Sequence, residues 1–164
     1  MSFLAPFHPV FVHFPIALLI GAGLIEVLAL ALRRPTLHVV SLWNLVLGTL
    51  GAGMAFLSGE QAEELAEHAA AAHQVLQWHE TLGRTTLIVA VLVTLLRLVT
   101  RDRLAGWLRI VSVSLMLAAV GSVAAGGYLG GRLVYEFGLG TPSAAAHRAS
   151  GAHEHDQPHH HDDE

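Results

Sequence analysis

Four stretches of this sequence are too long and too apolar to be packed into a water-soluble core of this size. They are residues 10–32, 37–57, 81–99 and 104–125. Each is close to the ~20 residues that a helix rising about 1.5 Å per residue needs to cross hydrocarbon. A backbone inside a bilayer has to satisfy its hydrogen bonds internally. The runs therefore predict an all-α fold, a four-helix transmembrane bundle. Hydrophobic residues make up 53% of the chain and charged residues 13%, and the mean hydropathy is +0.53. That composition belongs to the lipid bilayer rather than to the cytosol.

The remaining segments organise around these runs. Residues 1–140 read as one transmembrane domain. Residues 141–164 are polar and alanine-rich, then rich in histidine and acid, which predicts a disordered tail. Between the second and third runs, Glu60, Glu63, Glu64 and Glu67 share one helical face, while Leu65, Ala69, Ala72 and Leu76 share another. This predicts a short extramembrane amphipathic helix over 60–78. Ser58 followed by Gln61 has the spacing of a capping box that would end one helix and start the next. The first apolar run lacks a basic segment before it and a small-residue cleavage site after it, and reads as a retained anchor.

Several function classes find no support. Without cysteine there are no disulfides, thiolate metal sites or covalent c-type haem attachment. All basic residues are arginine, the net charge is -4, and no basic patch invites nucleic acid. No phosphate loop, Ser-His-Asp ordering or paired catalytic acids suggest an NTPase or a hydrolase.

The chemistry gathers instead at His8-Pro9-Val10-Phe11-Val12-His13-Phe14-Pro15, at the mouth of the first run. Proline is tolerated in a first helical turn, where its missing N–H has no helical partner. Pro9 therefore starts a helix, with His8 just outside it and His13 one turn inside. Imidazoles held beside lipid call for a function. Arg33, Arg34, Arg97, Arg101, Arg103 and Arg109 fall in or beside the two short connections. The positive-inside rule makes those connections cytoplasmic. Both termini then lie outside a bacterial inner membrane. The same topology brings His8 and His13, His79 with Glu80, and the 126–136 segment to one depth.

The motifs HPVFVHFPIALL, HETLG and GGRLVYEFGLG resemble those of the bacterial membrane family catalogued as domain of unknown function 2231, over roughly residues 6–140. The resemblance implies a four-helix membrane protein and no particular activity. The chain departs from that pattern at Arg132, where the family motif carries a histidine.

Two chemical expectations follow from the residues. A b-type haem needs one or two imidazoles on separate helices and a slot lined by small side chains. His13 and His79 are the expected axial pair, with His8 tuning the site. Arg84 or Arg132 would meet a propionate, and Tyr135 lies nearby. Such a protein would transfer electrons to a redox partner or to other membrane subunits. Alternatively, His8, His13, His79 and Glu80 offer nitrogen and oxygen donors to Zn, Cu or Ni, with His153, His155, His159, His160 and His161 of the tail concentrating ions. A third expectation is a structural or accessory membrane subunit without a cofactor. Within the bundle, Glu26 is expected to face inward, with Asn44 as its best polar neighbour and Arg97 or Arg109 as further candidates. His38 is expected to be merely interfacial.

Overall fold

The computed structural model describes residue 3 and residues 7–63, 72–100 and 106–139. Every regular element among them is helical: α1 (His8–Phe11), α2 (His13–Leu32), α3 (Pro35–Glu63), α4 (His73–Val99) and α5 (Trp107–Tyr135). With α1 and α2 taken as one rod, four helices are long and apolar enough to cross a membrane. The predicted four-helix architecture is the observed one.

The first rod begins at His8, so His8 belongs to the helix rather than standing before it. The backbone stays right-handed through Val12, with φ -66° and ψ -25°. The amides of Val12 and Ile16 carry the hydrogen-bond ladder across the junction, to the His8 and Val12 carbonyls. Pro15 has no N–H to give, which leaves the Phe11 carbonyl without its helical donor. The rod ends at Arg33, which adopts the left-handed conformation (φ 52°) at the C-cap. A non-glycine residue seldom does so. Here it lets Arg34 N–H bond the Ala29 carbonyl and turns the chain into Pro35 within two residues.

Three predicted boundaries are corrected. Ser58 ends nothing: α3 runs through it to Glu63, because the Ser58 hydroxyl donates to the Ala55 carbonyl of its own helix instead of capping a new one. The third spanning helix begins at His73, not 81, so Trp78, His79 and Glu80 lie inside it. The fourth begins at Trp107 and continues to Tyr135, absorbing the glycine-rich 126–131 segment. The expected amphipathic helix over 60–78 is therefore divided between the ends of α3 and α4, and its residues 64–71 lie outside the described residues. So do the tail from 141 onward and its histidines.

The bundle is two antiparallel hairpins laid side by side. The rod α1–α2 pairs with α3 and α4 pairs with α5; α2 also touches α5, and α3 touches α4. Leu19, Ala22, Leu45, Ala90, Val93 and Met116 are buried where the hairpins meet. Small residues set the approach. A Cβ on Gly23 would come within 2.7 Å of Val120 Cγ2, and one on Gly48 within 2.9 Å of Leu19 Cδ2. Hydroxyls add bonds between helices. Thr49 and Thr94 meet at 2.8 Å, and Thr86 donates to Ser122 at 3.0 Å. In lipid such contacts replace the hydrophobic driving force available in water.

Candidate functional site

His8 and His79 face each other across the two hairpins at one end of the bundle. Their ring centroids are 6.5 Å apart and their planes are nearly perpendicular, at 89°. They meet because α4 starts before Trp78: that places His79 within the helix and level with the first turn of the rod.

Each ring is fixed by its partner helix. His8 Nδ1 lies 2.9 Å from Ser58 Oγ. The Ser58 proton is already given to the Ala55 carbonyl, so the oxygen accepts and His8 Nδ1–H donates. His79 Nδ1 lies 2.9 Å from the Gly126 carbonyl, which can only accept. In their neutral forms both imidazoles therefore carry the proton on Nδ1 and the lone pair on Nε2. Glycines make room for both: a Cβ on Gly59 would sit 3.1 Å from His8 Cε1, and one on Gly130 would sit 3.0 Å from His79 Cε1.

His13 is placed differently. Its Nδ1–H bonds the Pro9 carbonyl one turn back on its own rod. Its ring is exposed on an open apolar groove with Phe11, Phe14, Leu47, Gly51 and Met54. The structure thus brings His8, and not His13, against His79. The sequence favoured His13 because it lies inside the apolar run, but the face of the rod that meets α4 carries His8.

The other expected site residues surround this pair without joining it. Arg84 is exposed on α4. Arg132 is engaged by Glu136, at 2.7 Å for the ion pair and 2.9 Å from Nε to Oε1. These hydrogen bonds hold the Glu136 carboxyl below the ordinary carboxylate range. Tyr135 points away from the bundle, 91% exposed. Glu80 is half-buried next to His79. Among the described residues no group of three or more His, Asp or Glu side chains is arranged to hold an ion, so the expected four-donor set of His8, His13, His79 and Glu80 does not form there.

A second ionisable cluster lies at the opposite end. Eighteen residues separate His8 from Glu26 in the rod, about 27 Å of helix rise. Glu26 is buried. Its Oε1 accepts from His38 Nδ1–H at 2.9 Å, and its Oε2 lies 3.1 Å from Arg97 Nη2. That ion pair is not aligned as a hydrogen bond, and Oε2 has no hydrogen-bond partner among the described residues. Arg97, 1% exposed, donates to Ser41 Oγ and to the His38 carbonyl, each at 3.1 Å. The inward-facing Glu26 and its Arg97 partner are as the sequence led one to expect. Asn44 is not involved, since its amide bonds the Val40 carbonyl. His38 is not merely interfacial, because it is a direct partner of Glu26.

A family model described as "Predicted membrane protein (DUF2231)" matches residues 4–143. No curated protein and no solved structure matches the chain.

Proposed function

Since the chain belongs to the DUF2231 family of predicted membrane proteins, we propose that it is an integral membrane electron-transfer protein that binds b-type haem between His8 and His79. The carrying observation is the pair of Nε2 lone pairs on two different helices, with both Nδ1 atoms committed to oxygen acceptors at 2.9 Å. A metal-binding imidazole is held in this way, its second nitrogen donating to a carbonyl or hydroxyl that fixes tautomer and orientation. A metal shared by these rings would take one nitrogen from each, and the ring centroids are 6.5 Å apart. Perpendicular planes are no obstacle, because each ring turns independently about its bond to the metal.

Donor count favours haem over a bare ion. Zn, Cu(II) and Ni ask for four or more ligands, and two imidazoles supply half of that. A haem would bring four nitrogens of its own, and His8 and His79 would supply the two that it takes from the protein. The arginine distribution supports placing the histidine end outside a bacterial inner membrane, with both termini. A redox partner would then approach from that side.

The test is a visible spectrum of the full-length protein purified in detergent and reconstituted with haem. A Soret band that is lost in both His8→Ala and His79→Ala and kept in His13→Ala supports the proposal. A colourless protein carrying stoichiometric zinc, copper or nickel would overturn it in favour of a metal-handling protein.

A further inference from the structure

One spacing runs through the contacts between the two hairpins. His8 faces His79 and Glu26 faces Arg97, and in both pairs the partners are 71 residues apart. The histidine cradles obey the same spacing. The His8 ring lies against Gly59, and the His79 ring lies against Gly130. Gly59 and Gly130 again differ by 71.

Contacts off the centre line are exchanged by the same shift. Thr49 of α3 meets Thr94 of α4. Val120 of α5 fills the space beside Gly23 of α2. Adding 71 turns Thr49 into Val120 and Gly23 into Thr94, so one contact is the counterpart of the other. The buried positions Leu19, Ser41 and Leu45 likewise correspond to the buried Ala90, Ser112 and Met116.

A residue that touches its own counterpart lies on a two-fold axis. We infer that the chain is a duplicated helical hairpin, residues 8–63 and 79–134, folded about an approximate two-fold axis along the bundle, and that the opposite charges of Glu26 and Arg97 make the first half recognise the second. Two identical hairpins packed this way would bring Glu26 against Glu26, or Arg97 against Arg97. Like charges buried at contact distance are strongly unfavourable. Opposite charges at this self-facing position turn that repulsion into an ion pair and exclude each half from pairing with its own kind. The histidines, which are alike, can instead share a ligand on the axis. The inference stands whatever His8 and His79 bind.

The duplication makes a prediction that an ordinary ion pair does not. Arg97 uses Ser41 Oγ and the His38 carbonyl, and their counterparts are Ser112 and Arg109. Exchanging the two charges hands the guanidinium at position 26 the Ser112 hydroxyl and the Arg109 carbonyl. The carboxylate at position 97 then faces that guanidinium across the axis, as Glu26 faces Arg97 in the native chain. The experiment compares full-length E26R, R97E and E26R/R97E by thermal unfolding in detergent, with Ser112→Ala added to each of the exchange variant and the native chain. Each single reversal should cost about a hundredfold or more in the folded population. The exchange should recover most of it, and Ser112→Ala should undo the recovery while costing the native chain at most about tenfold. An exchange variant no more stable than the worse single reversal, or one that fails to accumulate alongside them, would overturn the inference. So would a recovery indifferent to Ser112.

Discussion

Arg97 reaches from α4 to within 3.1 Å of Glu26 on α2, and both side chains are buried at the bundle's centre line. Charges removed from water in this way are held by each other and by hydrogen bonds to their surroundings. Truncating either one removes the other's ion-pair partner. Arg97→Ala and Glu26→Ala should each destabilise the bundle by about 3–5 kcal/mol. Replacing both by leucine should cost much less than the sum. A double-mutant cycle on unfolding midpoints in detergent measures this, and additive effects would refute the coupling.

Ser58 holds the His8 ring through one bond. Ser58→Ala should cost the fold only about 1 kcal/mol. Loss of such an orienting partner should weaken haem binding by about 10–100-fold. A haem titration that is unchanged in this variant would mean that the hydroxyl does not position the ligand.

Neighbouring glycines in α5 should behave in opposite ways. A methyl on Gly130 meets His79 Cε1 at 3.0 Å, whereas one on Gly131 meets nothing within 4 Å. Glycine to alanine in a helix interior is ordinarily worth up to about 1 kcal/mol of stabilisation. Gly131→Ala should therefore be neutral or stabilising with the His79 site intact. Gly130→Ala should displace the ring and reduce haem content. Equal haem content in the two variants would count against the close approach.

The Arg132–Glu136 pair predicts a pH response beyond the helix end. Its hydrogen bonds hold the Glu136 carboxyl below the ordinary value of 4.5. A carboxyl depressed in the folded state contributes stability above its unfolded pKa and loses it as pH falls through the folded one. Glu136 should therefore titrate below 4.5 by carboxyl NMR, and Arg132→Ala should return it towards that value. Because the pair is exposed, its effect on unfolding should be small.

Orientation can be read directly. A reporter active only outside the cytoplasm, fused after Gly140, should be active; one that works only in the cytoplasm should be silent. The reverse result would place the histidine pair on the inner side.

The spans were legible in the sequence because hydrocarbon tolerates little else. A run of about 20 apolar residues has one stable fate in a bilayer, whatever its neighbours do. The inward orientation of Glu26 was legible for a related reason: a carboxyl in an apolar helix has to find a partner within the protein. Hairpin order and the arginine asymmetry also follow from the chain alone.

Helix ends and histidine partners were not legible in the same way. Ser58 looked like a cap because a hydroxyl three residues before glutamine can serve as one. In the bundle it bonds backward to Ala55 and sideways to His8, a residue 50 positions away. Where α4 begins decides whether His79 is level with His8, and hydropathy falls off too gradually there to mark the start. His13 and His8 are equivalent by composition and differ only in which face of the rod is turned towards α4. That rotation is set by the packing of Gly23 against Val120 and of Leu19 against Gly48, contacts between residues far apart in the chain. Local sequence determines that four apolar helices form; only the close fit of their surfaces decides which side chains meet.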